Sequence, residues 1–82
     1  MNRSWVRFHL EEAHEELTSI LSHIKLDEEY SEADFRVAME HLYHHVNFAW
    51  NTRNASNTEV EAEDTDMSYF YSGRKFPKDI PL

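Results

Sequence analysis

The sequence predicts an all-α fold: an antiparallel helical hairpin, paired with a second copy as a homodimeric four-helix bundle and followed by a non-helical aromatic C-terminal tail. Three observations predict it. One Gly stands among 82 residues, where average usage of about 7 % would supply roughly six, and strand hairpins lean on Gly or Asn-Gly turns. Two apolar stripes recur at helical spacing, over residues 4–25 and 31–53. Only Leu26 to Tyr30 separate them, and short links make neighbouring helices antiparallel.

The first helix is expected from about Ser4 to Lys25, with Ser4 as N-cap and Glu11, Glu12 and Glu15 in its first three turns. Val6, Leu10, Ala13, Leu17, Ile20 and Ile24 follow at spacings of 4, 3, 4, 3 and 4, which is the stripe of a helix packed along one seam. Leu21 widens it. Trp5 and Phe8 lie off the stripe and call for a second covering surface.

The second helix is expected over 31–53. Ser31 followed by Asp34 resembles a capping box, with Asp where Glu or Gln is usual. Glu32 and Asp34 suit the positive end of the helix dipole. Phe35, Ala38, Leu42, Val46 and Ala49 form the stripe, flanked by Met39, Tyr43 and Trp50 on one side and His45 on the other. Asn51, Asn54 and Asn57 mark the expected end, because Asn tolerates the left-handed conformation of a C-cap. Residues 1–53 thus form the hairpin. Residues 54–66 hold five acids and no base and have the composition of a linker. Residues 67–82 carry three bases and one acid among Met67, Tyr69, Phe70, Tyr71, Phe76, Ile80 and Leu82. Pro77 and Pro81 forbid a regular helix there. This tail is expected to pack on the bundle.

Composition removes several function classes. The formal charge of −8 opposes non-specific nucleic-acid and anionic-membrane binding. Without Cys there is neither a disulfide framework nor a thiolate zinc site. Gly-rich phosphate loops need several glycines. No apolar run approaches the roughly 18 residues of a membrane span, and Met1 to Trp5 lead into a charged helical pattern rather than a signal peptide. A cytoplasmic protein is therefore expected. Two helices bury a single seam, and so small a core rarely supplies more than about 3–5 kcal/mol. Self-association is the remedy that remains, and Trp5, Phe8, Met39, Trp50, Tyr69, Phe70 and Tyr71 are the candidate partner-binding residues.

Three patterns bear on chemistry. His41, His44 and His45 fall within two turns of the second helix. Imidazoles three and four residues apart share a face and can chelate zinc, nickel or copper, so these three are the candidate metal ligands, with Asp34 as a further one. Glu11-Glu12-Ala13-His14 is a Glu-x-x-His of the kind used by carboxylate di-iron bundles, but Glu11 points away from the apolar stripe. Arg36-Val37-Ala38-Met39-Glu40-His41 resembles, over six residues, the Arg-x(4–6)-His motif of HEPN ribonucleases. That resemblance implies His41 as general base and Arg36 as stabiliser of phosphate charge. Arg3…His9 and Arg7…His14 meet the same spacing. No Ser is flanked by the glycines of a nucleophile elbow. The acidic runs are expected to solvate and cap helices. The six His would carry the charge from −8 toward about −2 if all titrate near 6.5. The expected function is a small non-catalytic protein-interaction or regulatory module with no cofactor, with His-based metal binding and a HEPN-like ribonuclease as alternatives.

Overall fold

The computed structural model describes residues 1–58. They form two helices, α1 (Arg3–Leu26) and α2 (Glu32–Asn51), packed closely as a helical hairpin. At 1.5 Å per residue, 24 and 20 residues make rods of about 36 and 30 Å. No strand occurs among the described residues, and none of their helices is long and apolar enough to cross a membrane. The acidic run beyond residue 58 and the aromatic segment 67–82, with Tyr69, Phe70 and Tyr71, lie outside the described residues.

The N-cap of α1 lies two residues before the expected one. Asn2, not Ser4, is the N-cap: its backbone is extended and its Oδ1 accepts the Trp5 N–H at 3.2 Å. Ser4 lies within the first turn and its hydroxyl donates to the same Asn2 oxygen at 3.1 Å. Asn2 prevails because it is held from both sides. Its backbone N–H donates to the Arg53 carbonyl at 2.6 Å, and its Nδ2 donates to the Ala55 carbonyl at 2.8 Å and to Asn57 Oδ1 at 3.1 Å. Ser4 has no side-chain nitrogen with which to reach the residues that follow α2.

α1 closes with His23 and Lys25 in its last turn, where the helix dipole favours bases. The His23 Nδ1 lies 2.8 Å from the Ser19 carbonyl. A carbonyl only accepts, so that nitrogen carries the proton. The His23 ring stacks on Tyr30 with centroids 5.1 Å apart. The link turns at Asp27, whose Oδ1 accepts the Glu29 N–H at 3.0 Å and whose carbonyl accepts the Tyr30 N–H at 3.1 Å. An Asp that bonds its own backbone two residues on is a turn former.

The capping box of α2 forms as expected. Ser31 Oγ accepts the Asp34 N–H at 3.1 Å, and Asp34 Oδ2 accepts the Ser31 N–H at 3.2 Å and its hydroxyl at 3.0 Å. These bonds to Ser31 hold the Asp34 carboxyl below its usual range. The other end departs from expectation. Thr52 is the C-cap, with φ −115°, and no described residue has a positive φ. The Thr52 hydroxyl and N–H both reach back to the Phe48 carbonyl, so the helix ends without a left-handed Asn.

The seam also differs from the predicted stripe. Buried on α1 are His9, Ala13 and Ile20, and on α2 Asn47, Phe48 and Ala49, with Thr52 and Ala55 beyond. Ala13 and Ile20 were in the expected stripe. Leu10, Leu17, Leu21 and Ile24 are instead 44–59 % exposed, and Val46 of α2 is 44 % exposed. α1 is rotated so that small Ala13 faces α2. Close approach of two helices is easiest over small side chains, and the polar bonds of the next section fix that rotation.

Candidate functional site

The seam residues of α1 recur as His9, Ala13, Glu16 and Ile20, and those of α2 as Ala38, Leu42, His45, Ala49 and Thr52; all are buried or half-buried. Spacings of 3 and 4 keep each set on one helix face. Antiparallel packing then sets Trp5 opposite Phe48 and Thr52, and His9 opposite His45.

The contacts follow that register. Trp5 Nε1 donates to Thr52 Oγ1 at 2.7 Å. The Trp5 ring lies edge-on to His9 with centroids 4.4 Å apart, and 6.4 Å from Phe48. Phe8 and Phe48 flank His9 at 5.2 and 5.1 Å. His45 and His44 complete the cluster, with centroids 5.4 and 6.5 Å from His9 and 5.1 Å from each other. Three imidazoles therefore sit inside an aromatic shell toward the end of the hairpin where α1 begins and α2 ends.

Across the seam His9 Nδ1 and His45 Nδ1 lie 3.1 Å apart. A hydrogen bond at that distance needs one nitrogen to carry the proton and the other to offer its lone pair. His9 is buried and its Nε2 has no hydrogen-bond partner. Buried N–H donors are orphaned less often than acceptors, which puts the shared proton on His9 Nδ1 and makes His45 the acceptor. Burial, and then the charges that His45 and His44 would carry, push the His9 pKa down to about 4.

The metal candidates are only partly brought together. His44 and His45 enter the cluster half-buried, but His41 is exposed and its place is taken by His9 from the other helix. Asp34 is engaged with Ser31. Among the described residues no three His, Asp or Glu side chains come together in a metal-holding group. His9 was missed in the sequence because histidines were counted along one helix. The signal that finds it is register: aligning Ala13 with the α2 seam sets positions 9 and 45 opposite each other. Glu11 is exposed and paired with Arg7 at 2.6 Å, and Arg36 is exposed and paired with Glu40 at 3.3 Å, so both motif residues face solvent beside a carboxylate or a guanidinium of their own helix.

The second feature is the uncovered face. Leu10, Leu17 and Leu21 each follow a seam residue of α1 by one position, and Met39, Val46 and Trp50 each follow one of α2. One position is about 100° of rotation in the same sense. For antiparallel helices that rotation reaches the same side of the pair, so both sets line one flank. The residues that precede seam positions, Phe8, His44 and Phe48, line the other flank, as their ring contacts with His9 require. Ile24 and Phe35 extend the first flank toward the link and are exposed. Glu11, Glu12 and Glu15 of α1 and Glu40 of α2 point elsewhere by the same rotation, and Glu16 lies in the seam. Glu32, in the first turn of α2, shares the flank with Phe35 and Met39. The result is a mainly aliphatic strip whose carboxylate stands at its link end. Among the partner-binding candidates, Met39 and Trp50 border this strip, with the Arg53 guanidinium 4.0 Å over the Trp50 ring, whereas Trp5 and Phe8 belong to the opposite flank.

The chain matches no known protein family, no curated protein and no solved structure.

Proposed function

We propose that this chain is a small non-catalytic protein-interaction module whose partner is a second copy of itself, with two hairpins packed through their aliphatic flanks as a four-helix bundle in the cytoplasm. The observation that carries the reading is the strip of exposed Leu10, Leu17, Leu21, Ile24, Phe35 and Val46. Large contiguous apolar patches mark interaction surfaces. Large apolar side chains present roughly 150–250 Å² each when fully exposed, and at the observed exposures the strip offers on the order of 600 Å². Two copies would bury about 1,200 Å², above the roughly 1,000 Å² that a specific interface needs. Charge permits a copy of the same chain: the middle of the strip, at Leu10, Leu17, Leu21 and Val46, carries no carboxylate, and Glu32 at its link end can stay in solvent. Two-fold self-pairing needs only this one patch.

Size-exclusion chromatography with light scattering tests the reading. Wild type is expected at twice the chain mass of 9.8 kDa at micromolar concentration. Leu17→Glu should give the single-chain mass and Phe8→Glu, on the other flank, should not. A single-chain mass for wild type, or a dimer that survives Leu17→Glu, overturns it. The wild-type monomer would leave the strip to another occupant, and the basic aromatic segment 67–82 is one that the same chain carries.

A further inference from the structure

We propose that the outward face of α2, the side turned away from α1, is the docking surface for residues 67–82 of the same chain. This docking takes place within one chain and does not rest on self-association.

Asn47 is buried on the side of α2 where solvent is expected. It stands two positions from each of the seam residues His45 and Ala49. Two positions are about 200° of rotation, so Asn47 points away from α1. It is nevertheless only 8 % exposed, and Asn51, one turn further on, is half-buried. The outer face of a surface helix ordinarily leaves its polar side chains in water. Residues 53–58 are drawn the other way, toward the start of α1: the Arg53 and Ala55 carbonyls and Asn57 Oδ1 all accept from Asn2. Neither α1 nor the turn after α2 is placed to cover Asn47, which leaves the chain beyond residue 58.

A groove continues from this position toward the link. Its volume is about 1000 Å³, and its described walls all belong to α2. Phe35, Met39 and Tyr43 give it an apolar floor. Glu32, and Glu40 with its partner Arg36, give it a net negative edge. The exposed Asp27, Glu28 and Glu29 of the link extend that charge.

Charge decides which stretch of the remaining chain suits this face. Residues 59–66 hold five acids and no base, and like charges repel them from it. Residues 67–82 hold three bases and one acid among seven large apolar side chains. A basic aromatic stretch complements an apolar floor with an acidic edge. Length permits the docking in cis. Eight extended residues, 59–66, reach about 26–29 Å, close to the roughly 30 Å of α2. Phe35 and Met39 stand on the border with the aliphatic strip, whereas Leu10, Leu17 and Leu21 lie on α1. The strip therefore stays open to a second copy.

The chain has no Cys, so a nitroxide can be attached at one position of the full chain, at Ser68→Cys or at Ser72→Cys. Paramagnetic broadening of amide NMR signals falls steeply with distance, and one helix is about 10 Å across. Broadening at Glu40, Tyr43 and Asn47 is expected to exceed that at Leu17 and Leu21 by about tenfold or more. It should survive dilution with an excess of unlabelled wild type, and vanish when nitroxide and isotope are carried by different chains. Asn47→Lys should lower the melting temperature by about 4–8 °C. Thr18→Lys, on the exposed outward face of α1, should lower it by less than half as much. Docking on α2 is overturned if broadening is strongest at Leu10, Leu17 and Leu21, which would put the segment on the strip. It is equally overturned if broadening arises only between different chains, if neither label selects a face of the hairpin, or if the two lysine variants lose equally. Should neither labelled chain fold, the lysine pair decides alone.

Discussion

The two ends of the hairpin are held together in different ways. At the end that holds the start of α1 and the end of α2, contacts cross between distant parts of the sequence: Asn2 to Arg53, Ala55 and Asn57, Trp5 to Thr52, and His9 to His45. At the link, almost every polar bond is local: Asp27 to Glu29 and Tyr30, and Ser31 to Asp34. Ile20 is the last buried residue of α1, and Ile24, Leu26, Phe35 and Val37 are exposed. The covalent link explains the difference. Closing a loop of a few residues costs little chain entropy, so the linked ends stay together with few contacts. The free ends have no such tether and depend on specific side chains, which also decide which faces of the helices meet.

Removing the most deeply buried aromatic ring at the Asn2–Thr52 end gives the largest effect. Phe48 is 3 % exposed and packs on Trp5, His9 and His44. Phe48→Ala is expected to remove about 3–5 kcal/mol, comparable with the whole stability of so small a core, and to leave the chain largely unfolded at 25 °C by circular dichroism. Ile20→Ala, at the inner limit of the link end, is expected to remove about 2–3 kcal/mol and to leave a cooperative urea transition. Equal losses at the two sites would erase the contrast.

Asn2→Ala comes next. It removes the cap of α1 together with two bonds that reach across to Ala55 and Asn57. A cap alone is worth about 1 kcal/mol, and a cross-chain hydrogen bond about another. A loss of about 2 kcal/mol in urea unfolding is expected, with faster hydrogen exchange at Trp5 and Val6. A loss no larger than that of an ordinary cap would mean that Asn2 acts only on its own helix.

Much of this was legible in the sequence, and where it was not the cause is identifiable. Local chemistry read through correctly: Ser31 and Asp34 form their box, the link falls within a residue of its expected place, and both helix spans agree to within about two residues. What failed was orientation. α1 carries two overlapping apolar faces, and hydrophobicity favours the one with Leu10, Leu17 and Ile24. The structure turns the other inward because its polar members find partners across the seam: His9 bonds His45, and Trp5 bonds Thr52. A stripe scored for apolar character counts such residues as errors. Asn2 was missed for a related reason, since its decisive bonds run to residues more than fifty positions away.

The smallest expected effect sharpens the contrast most, because it holds cap chemistry constant. Ser31→Ala removes from α2 the same kind of bond that Asn2→Ala removes from α1: a side-chain oxygen accepting a first-turn N–H. Both residues are N-caps with extended backbones. Ser31 differs in that its reciprocal partner, Asp34, lies three residues away on the same helix. Its removal should therefore cost about 1 kcal/mol, the ordinary value of a cap, with loss of exchange protection confined to residues 33–35 and no change at Trp5 or Thr52. The excess of the Asn2 effect over the Ser31 effect then measures what tertiary closure adds at the untethered end. If Ser31→Ala also loosened Trp5 and Thr52, the two ends would be unfolding as one cooperative unit, and the link would have to be regarded as part of the clamp rather than as a tether that makes it unnecessary there.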